Sequence, residues 1–457
     1  MKKTEQFLSY HRLRAADIEM DSLVKTFLHE MDNGLEGKES SLRMIPTYIE
    51  AENDFLTEVP VLAIDAGGTN FRAALISFNN KGKLVFGDIA NYRMPGLDRK
   101  ISSEEFFKII SGYVKPLARK AERIGFCFSY PTEILPNRDG RLIQFCKEVQ
   151  APEVVGQLIG KNLLETLETP DKHLVLLNDT VATLLAGKSA SFNRTFDSFI
   201  GYILGTGTNT CYIEKNRNII KTRDLDSEKS MIINIESGNF GKAPRSDLDL
   251  IFDKSTTDPG NYSFEKMFSG GYFGGLCLSV LKAAASEGFL SESSGKLLNT
   301  ITALSSNDAS NFVSHNGTAP IPNAFGTTEG DFLNPASGGS MDQSPADSAF
   351  ENVLKGLQSH ENDSERCREI INSLIDRAAK LVASNIAAVV LKTGKGKSPS
   401  TPILITVDGT TFYKMHNLRE RFEKYFNEYL SGEKKRFAEF TEVRQSSLIG
   451  AALAALI

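Results

Sequence analysis

Short apolar runs interrupted by glycine pairs organise the chain. Residues 61–64 (VLAI) and 73–78 (AALISF) are each about a strand long and rich in aliphatic side chains, and Asp-Ala-Gly-Gly-Thr-Asn lies between them. The pattern predicts a β-hairpin with an unusual turn. DSFIGYILGTGTNTCYIEK, at 197–215, repeats the strand-glycine-strand pattern much further on, which predicts a duplicated core with one such turn in each half. Around these hairpins the periodicity changes. Residues 15–35 place Ile18, Leu23, Phe27, Leu28 and Met31 at mostly helical spacings, with Gly34 as a stop. SEEFFKIISGYVKPLARKA (103–121) predicts a helix leading into a strand at 123–131. KHLVLLND (172–179) reads as a buried strand ending in polar residues, and VATLLAG begins a helix. Residues 367–392 form a long buried helix on the spacing of Ile370, Leu374, Ala378, Leu381, Val382, Ile386 and Val389. A last strand with an Asp-Gly-Thr-Thr turn follows at 401–414, then a small-residue helix at 446–457. This alternation of strands and helices specifies an α/β fold. Between 305 and 348 the composition shifts to Ser, Asn, Gly and Pro, which predicts a surface excursion or partly disordered loop.

At 457 residues the chain exceeds the size at which a single core stops growing, so two domains are expected. The 52 basic residues against 57 acidic ones give a net charge of −5, with no global pull toward nucleic acid or an anionic membrane. A small-molecule partner fits better. The cysteines, at 127, 146, 211, 277 and 367, are odd in number, widely spaced and without a CxxC pair, so neither a disulfide framework nor a zinc site is expected. The first twenty residues lack an apolar stretch of signal-peptide length, and no 18-residue apolar run occurs, so the expected location is the cytoplasm.

The glycine turns carry the chemistry. Gly67 and Gly68 accept positive φ at no steric cost, so successive backbone N–H groups can point into one concavity, with Thr69 and Asn70 adding side-chain donors. Such a nest binds an anion. Asp65, at the end of a buried strand, is costly unless a cation such as hydrated magnesium faces it. Phosphate with magnesium points to a nucleotide, while the plainer reading is a tight turn with an Asp cap. Asp179 has the same two readings: a carboxylate at the polar end of HLVLLND suits a general base, and an Asp before VATLL suits a helix cap.

Seven ordered segments, IDAGGTNFR, FSYPTE with DGRLIQFCK, LNDTVATLLAG, LGTGTNTCYIE, INIESGNFG, FEKMFSGGYFGGL and VDGTTFYK, resemble those of the hexokinase family, as does MDNGLEGKESSLRMIPTYI upstream. The resemblance spans nearly the whole chain apart from about 305–350. It implies an actin-like, ribonuclease-H-like fold of two α/β domains around a substrate cleft, the smaller at 55–180 plus 445–457 and the larger at 1–54 plus 181–444. It implies ATP and Mg2+ as cofactors, with Asp65, Gly67, Gly68, Thr69, Asn70 and Arg72 in a first phosphate loop and Gly205, Thr206 and Gly207 in a second. Asp408, Gly409, Thr410 and Thr411 resemble the adenosine loop, with Ser447 near the nucleotide. The magnesium would be held by ATP and water, with Asp65 nearby and no direct side-chain ligand.

By the same resemblance, Asp179 is the catalytic base and Lys147 places charge near the transferring phosphoryl group. Asn209, Glu236 and Glu265 contact the sugar, joined by Asn178, while Ser129, Cys146 and Lys147 swing onto it as the cleft closes. The implied reaction is phosphorylation of a hexose, D-glucose foremost, at its 6-hydroxyl by a monomer or homodimer. Two segments depart from the family. Phe145-Cys146-Lys147 stands where Trp-Thr-Lys is usual, and Ser237 stands for a Trp, which predicts weaker bonding to the sugar and looser packing around it. These departures keep open a preference for mannose, fructose or an amino sugar, and a weakly catalytic sugar sensor. An actin-like ATPase would share the turns without needing Asn209, Glu236 and Glu265.

Overall fold

The computed structural model describes residues 3–50, 54–145, 149–191, 194–314, 352–359, 361–432 and 434–457. Two sheets organise it. In the first, strand order runs Leu84–Arg93, Asn70–Phe78, Val61–Gly67, Arg123–Phe128, His173–Leu177, with the first two pairings antiparallel and the last two parallel. In the second, Ser230–Asn234, Thr208–Lys215, Ser198–Leu204, Ile403–Asp408 and Ala438–Thr441 repeat that order and those directions, and the short strand Ile45–Pro46 adds an edge. The duplication expected from the two glycine hairpins is therefore real at the level of topology. Central strands that are covered on both faces explain why 61–66 is buried at every position instead of alternating.

Two helices lie between the sheets. Asp179–Ala190 follows the edge strand His173–Leu177 of the first sheet and packs on Ser198–Leu204 and Ile403–Asp408 of the second, while Ser446–Leu456 packs on the first sheet and on Asp179–Ala190. Their closeness depends on missing side chains. A Cβ at Gly450 would lie 2.0 Å from the Ala182 carbonyl oxygen, one at Gly125 would lie 1.8 Å from that of Ala451, and one at Gly201 would lie 2.4 Å from that of Thr180. The long helix Glu361–Thr393 lies across the second sheet's other side, against Met20–Glu36 and Leu418–Ser431.

Several boundaries differ from the sequence reading, for local reasons. The helix expected over 15–35 begins at Met20, because Ile18 is extended and the Glu19 carboxylate caps the Asp21 and Ser22 N–H groups; Ala15–Asp17 is a separate short turn. Part of the polar stretch after 305 is ordered as the helix Ser306–Ser314. There Ser305 Oγ accepts the Asp308 N–H, and Ala309 and Phe312 are buried. The rest of that stretch lies outside the described residues. Among those described, no helix is long and apolar enough to cross a membrane.

Candidate active site

The first glycine turn joins Val61–Gly67 to Asn70–Phe78, with Gly67 paired to Asn70 and Gly68 at φ 59°. It is built together with the segment after Arg123–Phe128. The Ser129 N–H donates to the Ala66 carbonyl at 3.0 Å, the Tyr130 hydroxyl donates to the Gly68 carbonyl at 3.2 Å, and a Cβ on Gly67 would sit 3.0 Å from Ser129 Oγ. Thr69 and Asn70 are exposed at the tip. Asp65 is nearly buried, and the cation facing it is Arg72, its partner across the antiparallel pair, whose Nε donates at 2.9 Å. Burial still raises the Asp65 pKa, with Arg72 pulling it back.

The second turn, 205–207, meets two other segments. The Gly205 carbonyl accepts from the Gly270 N–H and from Thr411 Oγ1, both at 2.8 Å, and the Thr206 carbonyl accepts from the Gly271 N–H at 2.9 Å. Gly409 sits against this turn at φ 116°, where a Cβ would come 2.3 Å from the Leu204 carbonyl oxygen. Residues 205–207, 270–271 and 408–411 thus form one backbone-lined wall with Thr206 and Thr410 exposed on it. Gly270 and Gly271 were not singled out from sequence, although the adjacent glycines of FSGGYFGG carry the same turn signal as Gly67 and Gly68. Ser447 is half-buried in the first turn of the last helix. It is Ser446 beside it that bonds Asp408, its Oγ donating to Oδ2 at 2.5 Å.

A cluster of amides and carboxylates lies at the ends of these strands. Asn209 Nδ2 donates to Asn234 Oδ1 at 2.8 Å and to Glu236 Oε1 at 3.2 Å, and Asn178 Oδ1 is 3.4 Å away. Asn234 Nδ2 donates to Glu236 Oε1 at 2.8 Å. Asn234 escaped the sequence reading because it falls in an apolar strand, one position short of the turn that made Glu236 visible. Glu236 is itself left-handed, at φ 60°, a costly conformation for a side chain with a Cβ and one that clusters at functional sites. Glu265 Oε2 accepts the Thr208 N–H at 2.8 Å and lies 2.6 Å from where a Gly207 Cβ would be, so the glycine makes room for the carboxylate. Ser237, expected to loosen the site, is fully buried with its hydroxyl 3.0 Å from Thr210 Oγ1.

Asn178 and Asp179 satisfy both readings of their dipeptide. Asn178 caps the helix Asp179–Ala190 by accepting the Thr180 N–H at 2.9 Å, and Asp179 Oδ1 accepts the same N–H at 2.8 Å. Burial pushes the Asp179 pKa up to about 6. The Thr180 N–H opposes this, and the Asp65 and Glu236 carboxylates add to it. Burial also raises the Glu236 pKa, with Asn234 opposing. A carboxylate whose pKa is raised toward neutrality yet is ionised at pH 7, beside a cluster of donors and acceptors, can take a proton from a bound hydroxyl. Cys146 and Lys147 lie outside the described residues.

Comparison with known proteins matches the chain to one family. Hexokinase models match residues 4–189 and 199–457. Hexokinase-7 of Oryza sativa subsp. japonica is 28% identical over 456 residues, covering 95% of this chain and 93% of its own length. Glucokinase of Aspergillus niger is 27% identical over 483 residues, covering 95% and 92%. Among solved structures, the Schistosoma mansoni hexokinase complexed with glucose superposes with a TM-score of 0.74 at 21% identity, covering 99% of this chain and 98% of that one, which supports the shared fold. The two family matches together take in both sheets, both glycine turns and the polar cluster, and the chain belongs to the hexokinase family of enzymes that phosphorylate hexoses with ATP.

Proposed function

We propose that the chain transfers the γ-phosphoryl group of MgATP to the 6-hydroxyl of D-glucose, and that the residues brought together above do the work. The observation that carries this reading is the cluster Asn178, Asn209, Asn234 and Glu236 beside Asp179, whose mixed donors and acceptors match the vicinal hydroxyls of a hexose ring. Asp179 accepts the proton of the 6-hydroxyl. That oxygen forms the new bond to phosphorus while the bond to the leaving ADP oxygen breaks. Gly67, Gly68, Thr69 and Asn70 hold phosphate oxygens from one side and Gly205, Thr206 and Gly207 from the other, with Arg72 and Asp65 beneath the first turn. Asp408, Gly409, Thr410, Thr411 and Ser447 line the nucleoside end. Magnesium would be held by the ATP phosphates and water, with Asp65 nearby, and would neutralise phosphate charge. The family resemblance adds Ser129, Cys146 and Lys147 to the residues that contact the sugar, and Glu265 completes those contacts.

The test is product analysis. 31P and 13C NMR of reactions with glucose, mannose, fructose and N-acetylglucosamine identifies the phosphorylated carbon, and the ratios of kcat/KM rank the sugars. Glucose 6-phosphate with glucose ranked first supports the reading. A higher kcat/KM for another sugar reassigns the substrate, and phosphorylation at another carbon overturns the placement of Asp179.

A further inference from the structure

The ladder between Thr208–Lys215 and Ser230–Asn234 ends at the pair Cys211 and Asn234, with one more main-chain bond from the Ile235 N–H to the Thr210 carbonyl at 3.0 Å. Beyond it the chain turns left-handed at Glu236, and side chains take over from the backbone. Asn209 Oδ1 accepts the Thr210 N–H at 2.7 Å and the Ser237 N–H at 3.3 Å, which fixes the amide so that its Nδ2 faces Glu236, Asn234 and Asn178. The same two residues are also tied through their hydroxyls. Ser237 Oγ and Thr210 Oγ1 are hydrogen-bonded at 3.0 Å, and Asn385 Nδ2, from the long helix Glu361–Thr393 and 175 residues away in sequence, donates to Thr210 Oγ1 at 3.0 Å. Thr210 Oγ1 has two lone pairs and one proton, so both bonds form whichever hydroxyl donates to the other.

Thr210, Ser237 and Asn385 are all 0% exposed. Along the helix, Leu381, Val382, Ala388 and Val389 flank Asn385 on its own face, and its Oδ1 has no hydrogen-bond partner among the described residues. A buried oxygen without a partner costs stability that an apolar side chain of similar size would not. The amide is kept at that cost, and its nitrogen holds the support of Asn209. Among the described residues, none of these three side chains hydrogen-bonds Asp179 or the turn 205–207.

We propose that Asn385 is a positioning residue for the hexose: through Thr210 and Ser237 it holds the two N–H groups that orient the Asn209 amide, and so the donors and acceptors offered to the sugar ring. The proposal rests on the assignment of the Asn178, Asn209, Asn234 and Glu236 cluster to a hexose. It places the effect on sugar affinity and spares the chemical step and the nucleotide.

Sugar affinity is measured by calorimetry, with the tightest binder among glucose, mannose, fructose and N-acetylglucosamine, and kcat and the KM for MgATP are measured at saturating sugar. The proteins are the unmodified chain, Asn385→Leu, Thr210→Val, Thr210→Ser and the double variant Asn385→Leu with Thr210→Val, each checked by thermal melting. The expected result is a sugar Kd raised about tenfold in Asn385→Leu and in Thr210→Val. The double variant loses no more than either single one, because both act through one bond. Thr210→Ser keeps the hydroxyl and binds the sugar within about twofold of the unmodified chain, and kcat and the KM for MgATP stay within about twofold throughout. A purely structural role would lower the melting temperature and leave the sugar Kd alone, which overturns the proposal. Additive losses in the double variant, or a kcat that falls with the affinity, overturn it as well. Should Asn385→Leu fail to fold, the contrast between Thr210→Val and Thr210→Ser decides, and equal affinities in those two overturn the proposal. Absence of binding of all four sugars to the unmodified chain overturns the hexose reading itself, and the proposal with it.

Discussion

Asp179→Asn should inactivate the protein and make it more stable. The fold raises this carboxyl from 3.8 to about 6, chiefly by burial. An acid whose pKa is raised on folding binds its proton more tightly in the native state, so stability is greatest below pH 3.8 and is lost as pH rises through the interval to about 6. At pH 7 the native state carries the full cost of the charge, up to about 3 kcal/mol. Asparagine removes the charge and keeps an oxygen for the Thr180 N–H. Urea titrations at pH 7 should show the variant more stable by up to about 3 kcal/mol, with the gain shrinking toward zero near pH 4 as both native states become uncharged. Its kcat should fall by about 10²- to 10⁴-fold, as for loss of a general base. In the unmodified chain, kcat/KM for the hexose should decline as pH falls through the value of the free site. A variant no more stable at pH 7, or equally stabilised at pH 4 and 7, would refute the claim that burial strains this carboxylate.

Three further substitutions test the supports of the site. Glu236→Gln keeps the shape and loses the charge, so the hexose dissociation constant should rise about tenfold to a hundredfold with the KM for MgATP unchanged, measured by calorimetry and steady-state kinetics. Asn234→Ala removes the bridge between Asn209 and Glu236, and the hexose KM should rise about tenfold although the residue need not touch the sugar. Gly450→Ala drives a methyl into the Ala182 carbonyl, and denaturant melts should show a loss of at least about 1–3 kcal/mol.

The strands and turns were readable because backbone chemistry writes itself locally: paired glycines between apolar runs specify the hairpins, and the same signal twice specified the duplication. Contacts across the fold were not readable. Arg72 opposite Asp65 depends on hairpin register, which places them on one face. Asn234 depends on strand pairing with Cys211 two positions from Asn209. Ser446 depends on how the last helix docks, and the resemblance pointed instead to Ser447. The helix Ser306–Ser314 was hidden because its composition is that of a loop and its stability comes from burying Ala309 and Phe312.

The central claim is that one cleft joins a nucleotide to a hexose with Asp179 between them. It is tested most directly by ADP release from Mg-ATP with and without glucose, mannose, fructose or N-acetylglucosamine, for the unmodified chain and Asp179→Ala. Release that depends on a hexose and disappears in the variant is the predicted result. Release that is independent of every sugar, or that persists in Asp179→Ala, would contradict it.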